Sequence, residues 1–200
     1  MKLTDKPFSQ ACENNKEPIL SVLRRAFAGA SRVLEIGSGT GQHAVYFAPR
    51  LPHLFWIPGD LEENHAGIKA WMEEYPSQNL AAPVVLDVRE EAWAVDNVDA
   101  VFSANTAHIM HWPEVVRMFR GVSQLLPPGG VFVLYGPFNY AGRYTSDSNE
   151  RFDKSLRARD PGMGIRDFEA IEELAVGGGM SLWEDVAMPA NNRSLVWRKN

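Results

Sequence analysis

Short apolar runs bounded by turn residues alternate along the chain with longer stretches whose apolar residues recur at helical spacing. The runs are typical of buried strands, and the spaced stretches are typical of helices packed on a sheet. The predicted strands are 33–36, 53–57, 84–86, 99–102, 131–135, 180–186 and 194–198. The predicted helices are 18–27, with Pro18 in the first turn, 42–48, 62–75, 114–126 and 167–176. Strands that alternate with helices indicate an α/β fold.

The last two strand-like runs are joined by residues 187–193 and are interpreted as a closing antiparallel hairpin. If the run 180–186 is parallel to the rest of the sheet, the turn after it faces the substrate side. Asn191 and Asn192 are then candidates for a binding pocket, and the alternative is that they are ordinary turn asparagines.

Three glycines at alternate positions, Gly37, Gly39 and Gly41, follow the first strand directly. Strand, glycine loop and helix in this order are typical of a nucleotide-binding crossover, because glycine allows a sharp turn and leaves no Cβ in the way of a ligand. The third glycine comes one residue earlier than in dinucleotide enzymes, with Gln42 in the expected place. Glu35 precedes the loop, where a carboxylate suits a cationic ligand and would repel a pyrophosphate.

Polar residues follow other predicted strands at the edge where ligands bind in open α/β sheets. Asp60 comes about 20 residues after the loop, the distance at which a carboxylate holds a nucleotide ribose. Its alternative role is to cap the next helix. Asn105 and His108 follow the fourth strand, whereas Asp99 lies at the opposite end of that strand and is a poor catalytic candidate.

Composition limits the function classes. The chain has 200 residues, is 45% hydrophobic and carries a net charge of −5 with no long basic block, so a broad nucleic-acid surface is disfavoured. Cys12 is the only cysteine, which excludes an intrachain disulfide and a cysteine-based metal cluster. No apolar run approaches the about 18 residues of a membrane span, and 1–10 lacks the apolar core of a signal peptide. We therefore expect a cytoplasmic protein without membrane or nucleic-acid partners.

The pattern E-x-G-x-G-x-G over Glu35 to Gly41 resembles motif I of class I S-adenosylmethionine (SAM) methyltransferases. The sequence L-L-P-P-G-G over 125–130, before the fifth strand, is also common in that superfamily. More closely, the chain resembles the methyltransferase-like family called domain of unknown function 938. The segments that carry this resemblance are 15–16, 18–20, 34–43, 135–138, 145–146, 148–149, 156–157, 159–161, 164–167 and 188–192.

The resemblance implies a Rossmann-like, seven-stranded, mostly parallel sheet with helices on both faces and a C-terminal antiparallel hairpin, in a single domain over 1–200. It also implies SAM as the cofactor. Asp87, after the third strand, would lie beside the adenine, and the alternative is a turn aspartate. The predicted cofactor-binding residues are Glu35, Gly37, Ser38, Gly39, Gly41, Asp60, Leu61, Asp87, Val88 and Asn105.

Two segments lie outside this plan. The N-terminal arm and helix, 1–28, either begins with a disordered polar stretch or closes over the cofactor around Glu13 to Lys16, as in many methyltransferases. The insertion 139–166 has no periodic pattern and leaves the carboxyl end of the fifth strand, so it should cover the substrate. Its arginines could bind an anion, or Arg157 and Arg159 could pair with Asp153 and Asp160. The predicted substrate-binding residues are Asn15, Arg143, Arg157, Asn191 and Asn192.

His108 is the best candidate for a general base, because the unperturbed histidine pKa lies near neutrality. The alternative is a loop histidine that is hydrogen-bonded to the protein. Tyr135 is the second catalytic candidate, either orienting an acceptor or packing. No N-P-P-[YF] motif follows the fourth strand, which disfavours nucleobase amine methylation, and Asn105 stands where a metal-dependent catechol-type enzyme would need an aspartate, so we expect no metal.

The leading hypothesis is a SAM-dependent methyltransferase acting on a small molecule, and the arginines of the insertion favour an anionic one. The second hypothesis is a SAM-binding sensor or interaction protein without catalysis. The third is a nicotinamide oxidoreductase, against which the early third glycine and Glu35 both count.

Overall fold

A computed structural model describes residues 6–200, so residues 1–5 of the predicted arm lie outside the described part. The strands are β1 (Arg32–Ile36), β2 (Phe55–Asp60), β3 (Val84–Val85), β4 (Ala100–Ala104), β5 (Val131–Gly136), β6 (Phe138–Asn139), β7 (Arg166–Asp167), β8 (Met180–Met188) and β9 (Asn192–Lys199). The helices are α1 (Gln10–Ala26), α2 (Gln42–Phe47), α3 (His65–Glu74), α4 (Trp112–Leu125), α5 (Asp147–Arg159) and α6 (Phe168–Gly177).

Seven strands form one sheet in the order β3-β2-β1-β4-β5-β9-β8. The first five are mutually parallel, and β9 is antiparallel to both β5 and β8. The strand β8 therefore runs in the same direction as β5, which confirms the predicted closing hairpin. Strands β6 and β7 form a separate two-stranded parallel pair. Across residues 6–200 we find no helix both long enough and apolar enough to cross a bilayer.

Two hydrophobic cores cover the two faces of the sheet, because successive strand residues point to opposite sides. Val33 of β1 packs with Trp56 and Phe47 on the face covered by α1, α2 and α3. Leu34, the next residue, packs with Phe119 and the fully buried Trp197 on the face covered by α4 and α6. Helices on both faces and a mostly parallel sheet confirm the predicted fold class.

The strand boundaries differ from the prediction around the second and third strands. Residues Pro58 and Gly59 belong to β2 instead of forming a turn after it. Gly59 fits there because an added Cβ would lie 3.0 Å from both the Glu35 carbonyl oxygen and the Leu86 side chain. The prediction that 84–86 is a buried strand is wrong in part, since β3 is a two-residue edge strand and Val85 is 55% exposed.

The N-terminal helix is longer than predicted and begins at Gln10, with Ser9 as its N-cap. Pro18 therefore lies inside α1 and not in its first turn, so the sequence signal that proline usually gives at a helix start was misleading. The polar residues before Pro18 are thus helical, with Asn15 buried among them and Glu13 hydrogen-bonded to Gln42 at the start of α2.

The insertion 139–166 is ordered and contains a helix, α5, that the apolar pattern did not reveal. The buried face of α5 consists of Asn149, Asp153 and Leu156, at helical spacing. Two of these three residues are polar, so hydrophobic periodicity is lost even though the helix has a buried side.

Candidate active site

A cleft of about 860 Å³ lies at the carboxyl ends of the parallel strands. One part, which we call the loop side, is formed by the start of α1, the glycine loop, and the residues that follow β2, β3 and β4 as far as Thr106, together with Glu114. The other part, the insertion side, consists of His108, Ile109, Met110, Pro137, Ser148, Asn149, Phe152, Ala190, Asn191 and Asn192. The position agrees with the rule for ligands of open α/β sheets.

The three glycines of the loop all have positive φ, but only one has open space in front of it. A Cβ on Gly37 would lie 2.5 Å from Thr106 Cγ2, and a Cβ on Gly41 would lie 2.9 Å from Ile68 Cα. A Cβ on Gly39, by contrast, would meet nothing within 4 Å. Gly37 and Gly41 therefore allow close packing behind the loop, and Gly39 leaves room in the cleft. The prediction that Gly41 contacts a ligand has no support, because Gly41 does not line the cleft.

Asp60, the last residue of β2, lines the loop side and is hydrogen-bonded to the glycine loop. Its Oδ2 accepts a 2.6 Å hydrogen bond from the Gly39 amide, and its Oδ1 accepts from the Leu61 amide and from Asn64 Nδ2, both at 2.7 Å. Oδ2, which accepts a single hydrogen bond, still has a lone pair for a ligand. Asp60 does not cap the following helix α3, whose N-cap residue is Asn64 and has no side-chain capping hydrogen bond.

Glu35 lies beneath the glycine loop and does not line the cleft. The carboxylate is 2% exposed and accepts a 3.0 Å hydrogen bond from Trp56 Nε1. Burial raises the pKa of Glu35 to about 7; hydrogen bonds from Trp56 and Ser38 oppose this shift, and the charge of Asp60 adds to it. The geometry therefore does not support the predicted direct contact between Glu35 and a ligand.

Asp87 and Arg89 form a turn at the edge of the loop side. Arg89 Nε lies 2.9 Å from both carboxylate oxygens of Asp87, and the Arg89 amide donates to Asp87 Oδ1 at 2.9 Å. The Arg89 guanidinium lowers the pKa of Asp87. Asp87 is thus a turn aspartate that also lines the cleft, and its place beside the adenine stays a prediction. Val88 lines the cleft beside it, as predicted.

The start of α1 covers the glycine loop. The Ser9 amide donates to Gln42 Oε1 at 2.6 Å, and Gln42 Nε2 donates to Glu13 Oε1 at 2.7 Å. Cys12 of the same helix lines the cleft. In the described part of the N-terminal arm, the interpretation of an arm that lies over the loop agrees with the structure, and that of a disordered stretch does not.

Asn15 and Tyr135 lie behind this cover and not in the cleft. Asn15 Oδ1 accepts a 2.7 Å hydrogen bond from His43 Nε2, and the Asn15 side chain also contacts the Tyr135 hydroxyl. Tyr135 is 3% exposed and packs in the core on the α1 face of the sheet. The predictions of Asn15 as a substrate ligand and of Tyr135 as a catalytic group are wrong in placement, because β5 directs Tyr135 away from the cleft.

His108 lies on the insertion side and is 6% exposed. Its ring meets the edge of Phe152 at a centroid distance of 5.2 Å, and it forms no hydrogen bond with any group of residues 6–200. The interpretation as a loop histidine satisfied by the protein therefore fails. Burial, together with the charges of Arg166 and Arg159, lowers the pKa of His108 from its unperturbed near-neutral value to about 4, so the ring is neutral at pH 7.

The turn between β8 and β9 closes the insertion side. Asn149 Nδ2 donates to the Asn191 carbonyl oxygen at 3.1 Å, and Asn191 Nδ2 donates to Ser148 Oγ at 3.2 Å. We call these two hydrogen bonds the amide contact. Ala190 and Asn191 have φ of +56° and +57°, and Asn105 has +60°, so backbone strain concentrates around this cleft. As predicted, β8 is parallel to the sheet and Asn191 and Asn192 face the cleft.

The arginines predicted to bind substrate do not line the cleft. Arg157 Nε binds Asp153 Oδ2 at 2.7 Å, which is the local pairing considered from the sequence. Asp160 pairs with His111 at 2.9 Å instead of with Arg159, and Arg143 is exposed outside the cleft. Arg157 and Asp160 are thus held by ion pairs with other residues of the protein.

Several cleft residues were missed by the sequence analysis. Asn64 and Arg89 each stand close to a predicted aspartate, four and two positions later, so the local spacing could have indicated them. The others, Cys12, Asn149 and Phe152, come from helices that only tertiary packing brings to the sheet edge.

Residues 6–199 match the family described as "Protein of unknown function (DUF938)". The chain belongs to the DUF938 family. This agrees with the resemblance noted from the sequence.

The DUF938 chain is also similar in structure to methyltransferases. An O-methyltransferase family protein from Burkholderia thailandensis gives a TM-score of 0.79 at 15% identity, covering 95% of this chain and 57% of that one. The mitomycin 7-O-methyltransferase gives 0.81 at 14%, with coverages of 95% and 54%. Human N-acetylserotonin methyltransferase, solved with SAM, gives 0.79 at 14%, with coverages of 96% and 53%. The DUF938 chain spans little more than half of each, and at these identities the likeness shows the class I methyltransferase fold.

Proposed function

We propose that this protein is a SAM-dependent methyltransferase that transfers a methyl group to a small-molecule acceptor. The observation that carries the proposal is the open space in front of Gly39, next to a buried carboxylate, Asp60, that is bonded to the Gly39 amide. Such a site admits a ligand close to the backbone and offers it a fixed acceptor of hydrogen bonds.

The charges of the loop side fit SAM. Its formally charged lining residues are the carboxylates of Asp60, Asp87 and Glu114 and the guanidinium of Arg89, so carboxylates are in excess. SAM carries a sulfonium and an ammonium against one carboxylate, and an excess of negative charge attracts a net cation. A pyrophosphate would be repelled by the same groups, which disfavours a nicotinamide dinucleotide.

The roles follow from position. Asp60 would accept the ribose hydroxyls, and Asp87 with Val88 would border the adenine. The loop backbone at Gly37, Ser38 and Gly39 would follow the methionine part. Leu61 and Asn105 also line this side of the cleft, and Glu35 supports the loop from below.

When bound, SAM supplies a methyl group on a positively charged sulfur. The protein has to hold the acceptor in line with that group and keep water away. His108, neutral and without a protein partner among the described residues, is placed to accept a hydrogen bond from the acceptor. Asn191 and Asn192 offer amides to the same molecule, and Tyr135 acts only through the packing behind Asn15.

Calorimetric titration with SAM and with S-adenosylhomocysteine tests the proposal. We expect binding of both to the wild type, and a loss of affinity of about 100-fold in Asp60→Asn, because a charged hydrogen-bond acceptor contributes roughly 2–3 kcal/mol. Asp96→Asn is the matched control, since Asp96 is exposed and outside the cleft. Absence of binding to folded wild type, or equal affinity in both variants, would contradict the proposed function.

A further inference from the structure

We propose that the methyl acceptor is an uncharged, planar molecule that reacts through an acidic hydroxyl group, a phenol or an enol, held on the insertion side between Phe152 and His108. The inference rests on the proposed function and names the class of substrate for the same cleft.

The charge distribution of the cleft excludes an anionic acceptor. None of the residues of the insertion side carries a formal charge at neutral pH, since its polar members are asparagines, a serine and the neutral His108. The nearby guanidinium groups do not line the cleft: Arg157 binds Asp153, and Arg166, whose charge acts on His108, donates its hydrogen bonds to the carbonyl oxygens of Ala107, Met110 and Gly162. A carboxylate or phosphate here would lose its hydration without a hydrogen bond from a cation, and it would face the carboxylates of the loop side.

His108 defines the reacting group. The imidazole is buried against Phe152 and forms no hydrogen bond within residues 6–200, yet it borders the cleft, so its free ring nitrogen is available to a ligand. Because burial lowers its pKa to about 4, the ring is a weak base. It can take a proton from a hydroxyl that is already acidic, but not from an ordinary alcohol, and an uncharged aromatic amine carries no proton acidic enough for it to accept.

The apolar lining defines the shape of the acceptor. Phe152 is 41% exposed and Ile109 is 43% exposed at the entrance of the cleft, and Met110 and Pro137 line the same side. A planar ring can cover these surfaces, since aromatic pairs prefer stacked or edge-on packing. The amides of Asn149, Asn191 and Asn192 then lie at its polar edge.

The proposed reaction balances in atoms and charge. The acceptor oxygen gains the methyl carbon while the carbon–sulfur bond of the sulfonium breaks, and the electron pair of that bond stays on sulfur. The hydroxyl proton passes to His108 and then to water, so the products are a methyl ether, S-adenosylhomocysteine and a proton. No oxidant or metal is needed.

Four para-substituted probe molecules test separately how the charge, the acidity and the reacting atom of the acceptor affect binding and methyl transfer. They are para-hydroxyacetophenone, para-hydroxybenzoate, para-(hydroxymethyl)acetophenone and para-aminoacetophenone. Binding is measured by titration into the complex with S-adenosylhomocysteine, and transfer is measured by formation of the methylated product. We expect para-hydroxyacetophenone to bind at least about tenfold more tightly than para-hydroxybenzoate and to be the only one of the four that is methylated at an appreciable rate.

A variant sharpens the charge argument. Ser148 is exposed, lines the cleft and stands in the first turn of α5, so Ser148→Lys places a cation on the insertion side without burying it. We expect its preference for para-hydroxybenzoate over para-hydroxyacetophenone to rise about tenfold relative to the wild type. Ser155→Lys, exposed on the same helix and away from the cleft, is the control and should leave the preference unchanged.

The inference is overturned if the carboxylate, amine or hydroxymethyl probe is bound or methylated as well as the phenol, or if the phenol neither binds nor reacts. If SAM still binds in that case, the proposed function stands and only the acceptor class falls. If SAM does not bind, both fall together.

Discussion

The loop side and the insertion side of the cleft are built on opposite principles. On the loop side, most of the residues that face the cleft lie on the glycine loop or at the ends of the parallel strands, as Asp60 does, whose carboxylate accepts from the Gly39 amide. On the insertion side, they are neutral side chains carried by segments that leave the sheet and meet again through the amide contact of Asn149 and Asn191.

This difference determines which kind of ligand each side can select. A rigid, negatively charged surface suits one invariant cationic ligand, because every contact is set by the strand positions. A neutral surface carried by an insertion selects by shape and hydrogen bonding, and changes in the insertion alter it without disturbing the sheet. Burial nevertheless displaces a pKa at both sides, since it raises that of Glu35 to about 7 and lowers that of His108 to about 4.

The largest effect is expected from filling the open space of the loop side. In Gly39→Val the side chain would occupy the cleft and strain a backbone with φ of +55°, so we expect SAM affinity to fall by at least about 100-fold in calorimetry. Gly142 has φ of +69° and equally open surroundings outside the cleft, so Gly142→Val carries the strain alone. Similar losses of affinity in the two variants would show that strain, and not the open space, is responsible.

The next largest effect is expected in the pH dependence of the free energy of unfolding, through Glu35. The pKa of Glu35 in the folded state, about 7, lies above the unfolded value of 4.5, so the folded state binds this proton more tightly. The stability that the bound proton contributes is therefore complete below pH 4.5 and is lost as the pH rises through 7. We expect the free energy of unfolding of wild type minus that of Glu35→Gln to fall by about 3 kcal/mol between pH 4.5 and 8. Denaturant titrations at a series of pH values measure this difference.

The matched control for Glu35→Gln is Glu63→Gln, because Glu63 is exposed. It should follow the pH dependence of the wild type at every point. A flat difference between wild type and Glu35→Gln would mean that the carboxylate is already ionised in the folded protein.

The smallest effect concerns the amide contact. Asn149→Ala removes the hydrogen bonds from Asn149 Nδ2 to the Asn191 carbonyl oxygen and to Thr145 Oγ1. Each such bond contributes about 1 kcal/mol, so hydrogen exchange of the α5 amides should become roughly 30-fold faster. SAM affinity should stay the same, because the loop side does not depend on α5. Equal acceleration in β1 and β4, or in the control Ser155→Ala, would contradict the separation of the two sides.

Local spacing made the loop side predictable. The strand, the glycines and Asp60 lie within one stretch of sequence, so the pattern alone placed Gly37, Gly39 and Asp60 on the cleft. Even there, the sequence could not show that Gly41 packs on Ile68 or that Glu35 is covered by the loop, since both depend on what lies behind the loop.

The insertion side was predictable only in outline. The sequence indicated that 139–166 covers the cleft and that Asn191 and Asn192 face it, because strand direction fixes both. It did not reveal α5, whose buried face is largely polar, and it assigned substrate roles to Arg143 and Arg157, which lie outside the cleft. An arginine in a charged segment has several partners available, and only the fold decides which one it takes.

The amide contact also sets an order of assembly during synthesis. Asn149 binds the backbone of a residue 42 positions later, and β9 enters the sheet between β5 and β8, which are both made before it. While the chain leaves the ribosome, β1 to β4 and the glycine loop are complete long before Asn191 emerges. A nascent chain therefore has all the strands of the loop side while the other half of its cleft is still missing, and the cleft is complete only when the last hairpin has closed.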